Sequence, residues 1–191
     1  MFELYSKNSL NIIIKAQEIA RNFGHNFVGP EHLLFGITQA KESKITKILD
    51  KYGIKSDDIK KYIEDIYGDM GGDSIEQPFL PHAKNILFNA LHIAKYNNTL
   101  TEPEHLLLAL IIENCAVNTF FHIHDVNPEL IKQDILLNTG IKLDETMLSL
   151  EKEKEEKTPY TNKQSFGIFN FIKKIFKREN KLETNKISKD L

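Results

Sequence analysis

PEHLLFGI at residues 30–37 returns as PEHLLLAL at residues 103–110, with proline, glutamate, histidine and two leucines in the same order. A proline loses no hydrogen bond at the first helical position, and a glutamate in the first turn faces the positive end of the helix dipole, so each copy predicts the start of a helix. The leucines that follow predict its buried face. Two more landmarks return with them. Tyr5 comes back as Phe79, and Tyr52-Gly53-Ile54 comes back as His124-Asp125-Val126, at intervals of 72 to 74 residues. Three landmarks at nearly one interval mark an internal repeat.

Around these landmarks the chain reads as helices. Leu10, Ile13, Ile14, Ala16, Ile19 and Ala20 recur at helical spacing from a capping Ser6 to about Asn22, and Gly24 suits the left-handed residue that ends the helix. The second helix opens at Gly29-Pro30-Glu31. A third carries Ile45, Ile48 and Leu49, and a fourth, opened by Ser56-Asp57-Asp58, carries Ile59, Tyr62, Ile63 and Ile66. The glycine-rich, acidic stretch 68–78 reads as a linker. Four more helices are then predicted from Pro81, Pro103, Val117 and Asn127-Pro128. The expected fold is all-α, two tandem four-helix repeats at residues 1–68 and 79–140 related by a pseudo-twofold axis.

Composition narrows the function classes. With 25 Lys+Arg against 27 Asp+Glu the formal net charge is -2, so no global field favours nucleic acid. Cys115 is the only cysteine, which excludes an internal disulfide, and it reads as a small core residue. The first ten residues lack a basic region followed by an apolar run, and the expected location is the cytoplasm.

Two passages, YSKNSLNIIIKAQEIARNFGHNFVGPEHLLFGI at residues 5–37 and PHAKNILFNALHIAKYNNTLTEPEHLLLAL at residues 81–110, resemble the Clp amino-terminal domain family, found at the front of Hsp100 unfoldases such as ClpC, ClpA and ClpB. The resemblance covers roughly residues 1–140. It implies a module that binds adaptors or unfolded clients for an ATPase ring. The phosphate-cradling pattern G-x-x-x-x-G-K-[ST] occurs nowhere, and the stretch after Gly140 is too short for an ATPase domain, so a free-standing module is expected.

The same resemblance singles out Glu31, Glu104 and Ser6. In ClpC-type relatives the matching glutamates hold the guanidinium of phosphorylated arginine on clients, and Ser6 matches the hydroxyl of the first site. A carboxylate can pair with guanidinium through two parallel charge-assisted bonds. Leu80 stands where the second site would have a hydroxyl, His82 where it would have arginine, and Leu4 where the first would have a basic residue. The first site is therefore expected to be the stronger. No catalytic residues, metal site or cofactor are expected: His122 and His124 diverge on a helix, and neither H-E-x-x-H nor G-x-S-x-G occurs.

Residues 141–165 read as a charged spacer, followed at 166–191 by a basic amphipathic helix and tail. Phe166, Phe169, Ile172 and Phe176 share one helical face, and Lys173, Lys174 and Lys177 lie on the other, a pattern that suits tail docking onto a partner groove, a membrane surface or the repeats themselves. The expected function is a non-catalytic protein-binding module, an accessory or adaptor-like factor whose partners are protein clients or a Clp ATPase or protease. The alternative is a membrane-surface scaffold held at the inner face by the tail.

Overall fold

The computed structural model describes residues 4–40, 43–72, 77–113, 115–145 and 147. The tail residues Phe166, Phe169, Ile172, Lys173, Lys174, Phe176 and Lys177 lie outside them. Among the described residues the chain forms eight helices and no strand. They are α1 (Lys7–Asn22), α2 (Pro30–Thr38), α3 (Lys44–Lys51), α4 (Ser56–Tyr67), α5 (Pro81–Tyr96), α6 (Pro103–Glu113), α7 (Val117–Ile123) and α8 (Pro128–Thr139).

The starts and stops follow local chemistry. Ser6 caps α1 by accepting the Ser9 N–H, Ser43 caps α3 and Asn127 caps α8, each hydroxyl or amide oxygen satisfying one first-turn donor. The turns after α1 and α5 pass through Gly24 (φ 65°) and Asn98 (φ 53°), and those after α3 and α7 through Gly53 (φ 69°) and Asp125 (φ 53°). Left-handed residues thus recur at equivalent points of both repeats, although glycine serves the first repeat and asparagine or aspartate the second.

The repeats are joined reciprocally. The segment leading into α1 bonds to the loop before α6, with Ser6 N–H to Thr101 O at 3.1 Å and Thr101 N–H to Leu4 O at 2.7 Å. The segment leading into α5 bonds in the same way to the loop before α2, with Leu80 N–H to Val28 O and Val28 N–H to Pro78 O, both at 2.9 Å. These two parallel bridges, Tyr5 with Thr101 and Val28 with Phe79, exchange when the repeats exchange. The helix contacts obey the same rule: α1 touches α6 as α5 touches α2, and α3 touches α6 as α7 touches α2, while α2 and α6 meet at the seam.

Along α6 every residue except Glu104 is buried, as expected of a helix that is apolar all round and packed on all sides. Tyr5 crosses the seam, fully buried, and donates its hydroxyl to Leu87 O at 2.9 Å. Burial pushes that phenol well above its usual range. Tyr62 donates to Ala116 O, and Asp134 takes bonds from Tyr52 and Lys51, which ties α3 and α4 to the second repeat.

The structure adds detail at several points. Ile12, absent from the expected face of α1, is 1% exposed because α1 is covered by α2 and also by α6, whereas Leu10 and Ile14 lie at the edge of that contact. Ile66, placed on the core face of α4, is 41% exposed near the helix end. The stretch 68–78 is not simply a tether: Met70 N–H bonds to Phe23 O and Gly72 N–H to Gly24 O, both at 3.0 Å. Likewise the fold runs past Gly140 to Met147, which is 3% exposed, through reciprocal bonds between Asn97 and the Lys142 backbone.

Gly36 on α2 lies so close to the backbone of α1 that a Cβ there would collide with Ile12 O. Its counterpart is Ala109 on α6. Gly36→Ala should therefore destabilise the chain by about 1–3 kcal/mol, because the two helices must move apart. Urea unfolding that shows no loss would mean that the α1–α2 contact is looser than this.

Candidate functional site

Two helix starts carry the candidate glutamates, and the reciprocal bridges decide what surrounds each. At α2 the Gly29 N–H donates to His32 Nδ1 at 2.9 Å, and at α6 the Glu102 N–H donates to His105 Nδ1 at 3.0 Å. Each histidine takes over a backbone donor that the helix leaves unsatisfied. Because Nδ1 accepts, the neutral ring must carry its proton on Nε2.

From that point the two sites diverge. In the first repeat His32 Nε2 meets His25 Nδ1 at 2.9 Å, and His25 Nε2 meets Gly68 O at 2.9 Å. Read from Gly29, the donors run in one direction through both rings to the end of α4. Phe27 and Tyr67 pack edge-on against His25 or His32 and close the cluster. In the second repeat the position of His25 is held by Thr99, which is exposed. His105 Nε2 is consequently buried with no hydrogen-bond partner, as is Thr101 Oγ1. Burial lowers the His105 pKa to about 4.

The glutamates diverge too. Glu31 is 0% exposed, and both its carboxylate oxygens lack a hydrogen-bond partner. Its Oε1 lies 3.2 Å from His32 Nδ1. Glu104 is half-buried, and burial raises its carboxyl pKa above the ordinary value. Ser6 bonds through its backbone to Thr101, at the approach to α6, while its hydroxyl accepts the Ser9 N–H as the cap of α1. Leu80 occupies the equivalent place beside α2. The entry of each repeat thus meets the approach to the other repeat's central helix.

His82 is exposed and lies 2.9 Å from Glu113 Oε1, and the same buried carboxylate takes bonds from Asn85 and Asn89. Sequence reasoning passed over Glu113, whose last-turn position gave no motif. No group of His, Cys, Asp or Glu among the described residues is arranged to hold a metal ion, and His122 and His124 are exposed. Cys115 is buried, and burial raises its pKa to about 11.

Residues 4–116 match the model of the Clp repeat (R) N-terminal domain, more than half of the chain. The chain belongs to this family. Over 119 residues it is 37% identical to an "ATP-dependent Clp protease ATP-binding subunit ClpA homolog" of Guillardia theta and to "Chaperone protein ClpC1, chloroplastic" of Arabidopsis thaliana. Each alignment covers 61% of this chain but only 14% and 13% of those relatives. Among solved structures it resembles the N-terminal domain of the chaperone ClpD from Arabidopsis thaliana, with TM-score 0.62 and 19% identity over 73% of this chain and 97% of that one. The Hsp104 N-terminal domain from Candida albicans gives TM-score 0.61 and 17% identity over 72% and 93%. These likenesses share the all-α fold, and domains of the Clp family serve as substrate- and adaptor-binding modules of Clp chaperones.

The buried, lowered His105 gives a signed pH dependence. Its folded pKa of about 4 lies below the ordinary 6.5, so the stability it contributes is present above 6.5 and is lost as pH falls towards 4. His105→Asn, whose oxygen can still accept the Glu102 N–H, should flatten the loss of urea stability across that window. An unchanged slope would show that the ring is not held neutral.

Proposed function

We propose that this chain is a non-catalytic protein-binding module, an accessory or adaptor-like factor for Clp client recognition, with the start of α6 as its contact point for a cationic side chain. The observation that carries the choice of site is the contrast between the two glutamates. Glu104 is half-buried and partly open to solvent, with Ser6 brought beside its helix by the inter-repeat bridge, whereas Glu31 is closed off. A partly desolvated carboxylate pairs more strongly with a guanidinium than a fully solvated one, because less screening water remains.

On this reading Glu104→Ala should weaken binding of an arginine-phosphorylated client peptide by roughly tenfold or more, the cost of removing one partner from a charge-assisted pair. Glu31→Ala should matter less. Fluorescence titration of the full chain measures both, and a larger loss from Glu31→Ala would remove the assignment to α6. Absence of binding by the parent chain would remove the phosphoarginine site altogether. With no phosphate loop in its sequence, the purified chain should neither bind nor hydrolyse ATP, and turnover that persists through further purification would overturn the non-catalytic reading.

The spacing of Phe166, Phe169, Ile172 and Phe176 in the sequence motivates a second reading, a scaffold held at a membrane surface, with Lys173, Lys174 and Lys177 meeting anionic headgroups. Anionic vesicles should then bind the full chain, salt should weaken that binding, and Phe169→Glu should abolish it. Vesicles that leave the protein in the supernatant at low salt would end this reading.

A further inference from the structure

We infer that Glu31 and His32 share one exchangeable proton, whose arrival moves His32 Nδ1 from its bond with Gly29 to a bond with the Glu31 carboxylate. Three observations meet here. Glu31 is wholly buried with both oxygens unpartnered, a costly state for a carboxylate. Its Oε1 stands 3.2 Å from His32 Nδ1, which in the neutral ring presents a lone pair, so that two acceptors face each other. The other ring nitrogen, Nε2, is already committed to His25, whose own remaining nitrogen is committed to Gly68 O.

A proton arriving at Nδ1 leaves the His32 to His25 bond in place and turns the acceptor pair into an imidazolium and a carboxylate joined by a charge-assisted bond. What is lost is one neutral bond, that from the Gly29 N–H. The other titratable groups that face Glu31 are Tyr62 and Tyr67 on α4 and Cys115 ahead of α7. Burial raises all three above their ordinary values, so at neutral pH they bring no competing charge. Tyr67 presents its phenol to the Glu31 carboxylate, which adds to the burial that raises it.

The second repeat supplies a control inside the same molecule. His105 makes the same bond to the backbone of Glu102, but among the described residues it forms no ion pair with Glu104 and has no second imidazole behind it. The consequence is a proton-dependent carboxylate. With the proton absent, neither Glu31 oxygen has a hydrogen-bond partner; with the proton present, one is occupied by His32. This inference stands on the geometry of the first repeat and does not depend on where clients bind.

The test is nuclear magnetic resonance of the uniformly nitrogen-15-labelled full chain. Couplings across the N–H···N bonds from Gly29 to His32 and from Glu102 to His105 are followed as pH falls from neutral. The expected result is that the Gly29 coupling disappears while the fold is intact and His32 Nδ1 takes on the shift of a protonated nitrogen, whereas the Glu102 coupling survives until about pH 4. Glu31→Gln, nearly isosteric but without the charge, should retain the Gly29 coupling at a pH where the parent has lost it. Should the parent keep both couplings until it unfolds, or should Glu31→Gln lose the Gly29 coupling at the parent's pH, the shared proton is wrong.

Discussion

The fold depends on four main-chain hydrogen bonds that cross between the repeats, two for each short bridge. Each bridge fixes the segment entering one repeat against the loop that launches the central helix of the other, and so sets where α2 and α6 begin. A neutral backbone bond contributes only about 0.5–1.5 kcal/mol net, and four of them cannot hold two domains together alone. Their larger role is register. Once α1 and α5 are anchored, Tyr5 and Phe79 are buried at the two bridges and Leu106 to Leu110 lie in the core around the seam. Apolar burial then supplies most of the cohesion.

Exchange across the seam also places the entry of each repeat beside the helix start of the other. The family resemblance assigns the Ser6 hydroxyl to the first site, and the fold adds a contact that sequence order does not show. In the folded chain the entry of one repeat is spent on the other, so Ser6 belongs with the α6 start and Leu80 with the α2 start.

The repeat, the eight helices and the Ser6 cap were legible because they rest on local chemistry: proline and a first-turn glutamate at a helix start, leucines at helical spacing, and Gly24 after the last turn of α1. The burial of Glu31 was not. Nothing within PEHLLFGI distinguishes it from PEHLLLAL in polarity at that position, and the difference comes from outside the motif, where His25 and Tyr67 close over α2 while their second-repeat counterparts, Thr99 and Thr139, are too small to do so. The docking of Met70, Gly72 and Met147 escaped notice for a related reason. Isolated backbone bonds and one apolar side chain leave no periodicity to read.

Duplication gives two copies of one helix start, but the same three residues do different chemistry according to what stands behind the histidine. With a second imidazole behind it, His32 has a fixed tautomer and a firm acceptor for its Nε2 proton, so Nδ1 is the remaining place for a new one. The imidazolium that would form there is compensated by a carboxylate 3.2 Å away. With only Thr99 at the corresponding position, the Nε2 proton of His105 has no acceptor and its ring is held neutral by burial. Glu104 correspondingly gains no partner from its neighbour and turns its charge partly outward. One repeat keeps its glutamate inside and the other leaves it partly exposed. That division accompanies two differences outside the motif, His25 against Thr99 in the loop preceding each helix and Tyr67 against Thr139 at the end of each repeat's last helix.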